Sequence, residues 1–207
     1  MSEKSVLLQK SNTMKKLIFA TNNKHKLHEV GELLHDEIQI VSLAEMGLDG
    51  DIPETADTLQ GNALQKAQWV YERTGSDCFA DDTGLEVDAL GGAPGVYSAR
   101  YAGEGCTFDD NINKLLAAME GKSDRRAAFR TVICLIENGV PRYFEGRVDG
   151  KILTERYGKE GFGYDPIFMP DRFAVSFAEM PLEVKNQISH RGRAVQKLVE
   201  YLKGEKM

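Results

Sequence analysis

The chain has 207 residues, with 26 Lys plus Arg against 32 Asp plus Glu for a formal charge of −6; 42% are hydrophobic and 28% charged. That length suits one domain, or one domain folded in two lobes, and the composition is globular rather than disordered. No apolar run approaches the roughly 20 residues of a membrane span, and a net-acidic chain lacks the spread basic charge that sequence-independent duplex binding uses.

A polyanionic ligand must therefore be met by a local cationic pocket or a metal. Residues 1–13 are polar and lack the apolar stretch of a secretory signal, so 1–14 reads as a disordered leader and 15–207 as the single folded domain. Residues 16–20 form a short apolar run ending at Thr21-Asn22-Asn23, which predicts a buried strand followed by a helix cap. From Lys24 a helix follows, with Leu27, Val30 and Leu34 on one face. A second helix fits 58–74, turning Leu59, Ala63, Ala67 and Val70 inward and Asn62, Lys66 and Arg73 around another side.

Residues 78–80 predict a short strand running into Asp81-Asp82, so that two carboxylates sit at a strand end. Residues 108–119 are amphipathic through Ile112, Leu115 and Leu116. Residues 127–136 are apolar on both parities, as in a central strand covered on both faces. Asn138-Gly139 marks a tight turn, 143–148 returns antiparallel, and Asp149-Gly150 offers the next turn. The last helix, about 191–202, buries Ala194, Val195, Leu198 and Leu202. Strands alternating with helices, plus a hairpin, favour an α/β fold with a mixed sheet. Cys78, Cys106 and Cys134 are odd in number and far apart, which suits neither a disulfide framework nor a zinc site and points to the cytoplasm, and Cys78 and Cys134, inside apolar runs, read as buried thiols.

Five segments carry candidate chemistry. Asp81, Asp82 and Glu86, with Glu54 from the acidic stretch 49–57, suit a hard cation such as Mg²⁺, and one carboxylate could take a proton from water. Alone, they fit a solvated acidic turn equally well. The stretch Gly91-Gly-Ala-Pro-Gly95 is neither a Walker loop nor a dinucleotide fingerprint and favours a structural turn, with Ser98 and Arg100 beyond it. Thr21 to Lys26 combines a helix start with lysines, a ready anion site or an ordinary capped helix, to which His25, His28 and His35 belong. Gly161-Phe-Gly-Tyr-Asp-Pro166 suits stacking of a flat base. Lys185 and the donor-rich turn to His190-Arg191 could meet a phosphate or a base carbonyl.

In order, Thr21-Asn-Asn-x-x-Lys26, Ala80-Asp-Asp-Thr-Gly-Leu85, Leu90-Gly-Gly-Ala-Pro-Gly-Val-Tyr-Ser-Ala-Arg100, Gly161-Phe-Gly-Tyr-Asp-Pro-Ile-Phe168 and Ser189-His-Arg191 make a set. The chain from about Lys16 to Leu202 closely resembles the inosine/xanthosine triphosphate pyrophosphatases. The resemblance implies a two-lobed α/β fold with an elongated mixed sheet flanked by helices, an active cleft between the lobes, and a homodimer. It also implies Mg²⁺-dependent hydrolysis of ITP, dITP or XTP to the monophosphate and pyrophosphate, which cleanses the nucleotide pool. Carried over by motif, Asp82 is the general base and a metal ligand, and Glu54 a second ligand. Thr21, Asn22, Asn23, Lys24, His25, Lys26, Lys66 and Thr83 are expected to hold the phosphates and sugar. Phe162, Gly163, Tyr164, Asp165, Lys185, His190 and Arg191 are expected to hold the purine and its neighbours. Asn22 stands where many members have Gly, and Gly61 where an acidic residue is common. Rival readings are a pyrophosphatase for other nucleotides and a non-catalytic nucleotide-binding module.

Overall fold

The computed structural model describes residues 14–35 and 38–204, so all of the expected leader except Met14 lies outside the described residues. Strand β1 (Lys15–Phe19) leads into helix α1 (Lys24–Leu34), and strand β2 (Ile38–Ser42) returns parallel to β1. Helix α2 (Leu59–Thr74) crosses to strand β3 (Cys78–Val87), which lies parallel to the other edge of β1. A two-residue strand β4 (Pro94–Gly95) pairs back on β3, helix α3 (Phe108–Ala118) follows, and β5 (Arg126–Glu137) and β6 (Val140–Ile152) form a long hairpin. Strand β7 (Phe168–Pro170) edges β6, and helices α4 (Leu182–Ile188) and α5 (His190–Leu202) close the described chain. The sheet order is β2-β1-β3-β5-β6-β7, with β4 on β3. The expected mixed sheet flanked by helices is what forms.

The interior divides into three clusters. Val30 and Leu34 of α1 pack with Val195 and Leu198 of α5 over Leu17, Phe79 and Leu135. On the opposite face, Ala63, Ala67 and Val70 of α2 pack on Ile18, Ala80 and Val132. The third cluster joins Leu115 of α3, Leu85, Phe129, Phe168 and Phe177 at the far half of the long strands. Helices α1 and α2 thus lie on opposite faces of the sheet, and the strand order turns about β1, with β2 on one side of it and β3 on the other. Such a switch point opens a crevice beyond the strand ends.

Three local expectations change. β3 does not stop at Ala80: it runs ten residues, because Cys78 to Val87 pair continuously with β5. Asp81 and Asp82 therefore sit in mid-strand, not at a strand end. On its other edge β3 pairs with β1 only at Cys78 and Phe79 and with β4 only from Leu85, so the stretch between them faces a gap in the sheet. Asp149-Gly150 makes no turn; both residues continue β6, where Gly150 faces Pro170 and a Cβ would lie 2.4 Å from the Met169 carbonyl oxygen. The glycine serves close strand approach rather than reversal. β2 is a short strand at the sheet edge to which the sequence reading assigned no element.

Candidate active site

The gap beside β3 is a cavity of about 430 Å³. Of the residues named from the sequence, Thr21, Asn22, Asn23, Lys26, Glu54, Lys66, Asp82, Thr83, Phe162, Gly163, Tyr164, Asp165, Lys185, His190 and Arg191 line it. Lys24 and His25 do not; both are exposed.

At the start of α1, Asn23 is the cap, its Oδ1 accepting from the amides of His25 at 2.9 Å and Lys26 at 3.2 Å. Those two amides are thereby already paired, so this turn meets an anion mainly through side chains. Lys26 reaches from the first turn to Asp81, its Nζ donating to Oδ1 at 2.9 Å. Burial lowers the Lys26 pKa and Asp81 works against that fall.

Successive residues of a strand face opposite ways, and β3 uses both directions. Asp82 turns toward α2, where Lys66 Nζ donates to its Oδ1 at 2.9 Å and Asn62 Nδ2 to its Oδ2 at 3.2 Å. Lys66 also bonds Glu54, which Arg100 approaches from the other side. Asn62, Lys66 and Arg73, expected around another side of α2 from its apolar face, differ in burial. Asn62 and Lys66 are buried and only Arg73 is exposed. Burial opposes the Lys66 charge, but Asp82 and Glu54 outweigh it and raise the pKa. Glu86 leaves the acidic group altogether: it pairs with Arg130 and Arg147.

Asp81 turns the other way, toward α1 and α5. Burial opposes its charge, yet Lys26 and Arg191 hold the carboxyl well below its ordinary range. Arg191 donates from Nε to Asp81 at 3.3 Å and from Nη2 to the Thr83 hydroxyl at 3.2 Å, and its Nη1 bonds Glu29. Glu29 also accepts from Lys185 Nζ at 2.7 Å, and Asp165 accepts from the same Nζ at 2.6 Å. Burial disfavours the Glu29 carboxylate, but Arg191 and Lys185 prevail and lower its pKa. For Asp165 the balance reverses: burial raises its pKa despite Lys185. The same Asp165 oxygen, Oδ2, that accepts from Lys185 also accepts from the Phe162 amide at 2.8 Å, so Asp165 orients Lys185 and the 161–166 loop. The Tyr164 hydroxyl likewise donates inward, to the Ser98 carbonyl at 2.9 Å.

His190 opens α5 behind the cap Ser189. The close seating of α5 on β6 depends on Gly146, where a Cβ would lie 1.9 Å from the His190 carbonyl oxygen. The His190 ring stacks on Phe129, centroids 4.6 Å apart and 14° between planes. Its Nδ1 is buried with no hydrogen-bond partner among the described residues. Burial, then the neighbouring Arg191 and Lys185, push its pKa well below 6.5, so the imidazole is neutral. Buried polar atoms are normally paired, and this unpaired nitrogen belongs to a residue that lines the cavity.

Among the described residues, no three His, Cys, Asp or Glu side chains gather in a metal cage. Asp82 and Glu54, both on the cavity and both touching Lys66, are the neighbouring oxygen donors, and Asp51 lines the cavity as well. Two carboxylates suit Mg²⁺, which takes one or two from protein and the rest from phosphate and water. Sequence reasoning missed Glu29, Asn62 and Phe129. Glu29 follows Lys26 by three residues, which put it on the same face of α1, but that spacing equally describes a solvated pair. The buried thiols fit expectation: burial raises Cys78 and Cys134 to about 12.

No described helix is long and apolar enough to cross a membrane. The dITP/XTP pyrophosphatase of Porphyromonas gingivalis is 57% identical over 190 residues, covering 91% of this chain and 98% of that protein. The dITP/XTP pyrophosphatase of Flavobacterium johnsoniae is 54% identical over 191 residues, covering 92% of this chain and 100% of that one. A HAM1 protein structure from Coxiella burnetii superposes with a TM-score of 0.85 at 42% identity, covering 92% of this chain and 100% of that chain. The model of the Ham1 family matches residues 17–201. With its fold, cavity and relatives in agreement, the chain belongs to the Ham1 family.

Proposed function

We propose that this protein is a Mg²⁺-dependent pyrophosphatase that hydrolyses ITP, dITP and XTP to the monophosphate and pyrophosphate. The relatives named dITP/XTP pyrophosphatases support the reaction class and the purine triphosphate substrate. The observation that carries the reading is one cavity with two kinds of lining. One part offers Asp82, Glu54, Lys66 and Lys26; the other offers the orphan nitrogen of His190, with Phe162, Lys185 and Arg191. The first suits a metal-bound triphosphate and the second a flat, polar-edged base.

In the reaction, water attacks the α-phosphorus. The water oxygen forms the new P–O bond, its proton passes to an oxygen of Asp82, and pyrophosphate leaves with the electrons of the broken bridge. Lys66 and Asn62 hold the two oxygens of Asp82 in a fixed plane, so the base is oriented before the water arrives. Lys26 and Lys66 face the charge that builds on the phosphates. Asp82 and Glu54 are the carboxylates that would hold Mg²⁺, whose chemistry here is charge neutralisation on the phosphates.

At the base, a neutral His190 carrying its proton on Nδ1 donates to a 6-keto oxygen. The 6-amino group of adenine would leave that buried donor unpaired, at a cost of about 1–3 kcal/mol. The test is pyrophosphate release from ITP, XTP, GTP and ATP with Mg²⁺ and with chelator. Release from ITP and XTP far above ATP, lost with chelator, is expected; equal rates for ATP and ITP would defeat it. A homodimer belongs to the same proposal and is read by light scattering.

A further inference from the structure

His25 stands outside the cavity, yet its ring lies flat on Phe162, with centroids 5.1 Å apart and 16° between planes. Phe162 does line the cavity, and the cations lining it with Phe162, Lys185 and Arg191, come within 5.3 and 5.5 Å of the same ring's centre. Phe108, at the start of α3, meets both rings at the rim, 5.9 Å from Phe162 and 6.0 Å from His25. Phe162 needs such support. It sits between Gly161 and Gly163, both in the left-handed region at φ 73° and 62°. Its amide is tied to Asp165, but its side chain is only partly buried.

We propose that His25 is a positioning residue for base recognition: it backs the Phe162 ring from outside the cavity and holds it ready to stack on a purine. The inference rests on the purine triphosphate reading and adds a role to it. His25 touches neither base nor phosphate; it acts through Phe162. A ring held in advance loses less freedom when the base arrives, which favours binding without altering the chemical step.

The experiment compares wild type, His25→Ala and His25→Phe in ITP hydrolysis, with inorganic tripolyphosphate as a competitive inhibitor that reads the phosphate contacts alone. An aromatic pair of this kind corresponds to about a threefold to tenfold change in an equilibrium. The expected result is a KM for ITP raised by about that factor in His25→Ala, with kcat within about twofold. His25→Phe restores KM, and tripolyphosphate inhibition is unchanged throughout. His25 is exposed, so the variants are expected to fold, and melting temperatures check this. An unchanged KM overturns the inference. So does a lowered KM, which would mean that the base displaces the imidazole, or a matching loss of tripolyphosphate affinity, which would put His25 on the phosphates. NMR adds a readout free of turnover: the chain has four histidines, and the His25 ring proton is expected to move in Phe162→Leu. If that proton does not move, the pair is absent in solution. A wild type inactive on both ITP and XTP would instead sink the functional reading itself.

Discussion

Strand β3 carries a charge network on each of its faces. Toward α1 and α5, Asp81 joins Lys26 and Arg191, Arg191 joins Glu29, and Glu29 joins Lys185 and Asp165. Apart from Lys26, at 13%, these side chains are no more than 5% exposed. On the outer face, Glu86 joins Arg130 and Arg147, which reach Glu145 and Asp149, with side-chain exposures from 27% to 59%. The outer pairs retain much of their hydration and each contributes about 0–1 kcal/mol. The inner groups give up water, a cost that an apolar core would avoid. Stability alone does not explain the inner network. Its use is to hold Lys185, Arg191 and Lys26 against a cavity, aimed before any ligand arrives.

The largest effect is expected at the chemistry, on the α2-facing side of β3 that carries Asp82. Asp82→Asn keeps the shape but removes the proton acceptor, and kcat for ITP should fall by about 10²–10⁴-fold while nucleotide affinity, read by calorimetry, changes little. Near-native turnover would remove Asp82 from the role of base. Next comes the contrast between the networks. Glu29→Gln leaves Lys185 and Arg191 short of a buried countercharge and should cost about 3–5 kcal/mol in urea unfolding. Glu86→Gln, its outer counterpart, should cost no more than about 1 kcal/mol. Similar losses would erase the distinction drawn between the two sides.

His190 gives a smaller, pH-dependent effect. Its folded pKa lies below the unfolded 6.5, so as pH falls the unfolded chain binds the proton first. Stability is then full above pH 6.5 and declines below it, by at most about 1.4 kcal/mol per pH unit. Urea unfolding from pH 7.5 to 5.5 should show His190→Gln lacking that share of the slope. The smallest effect concerns salt: 1 M NaCl should shrink the already small cost of Glu86→Gln toward zero and leave most of the Glu29→Gln cost in place.

The same contrast marks what a linear reading can reach. The apolar spacing of α2 gave its inward face correctly through Leu59, Ala63, Ala67 and Val70, all buried. It missed that Asn62 and Lys66 are buried too, because a polar residue on a helix reads as solvated until its partner is known. Asp81-Asp82 read as a strand end because carboxylates are rare in strand interiors. They tolerate mid-strand positions here because Lys66 and Lys26 come to them from two helices. Asp149-Gly150 read as a turn for its composition, although the backbone of β7 is what requires the glycine.

By itself, the sequence determined the alternation of strands and helices, the mixed sheet, the buried thiols and most of the residues named for the cavity. These follow from local periodicity and from residue types, which act over a few positions. Only the tertiary structure decided that Glu29 anchors both Lys185 and Arg191, that Glu86 lies apart from Asp82, and that His25 backs Phe162. The partners that Glu29, Glu86 and His25 find lie far away in the sequence, and burial and electrostatic balance at such contacts depend on which surfaces meet in three dimensions.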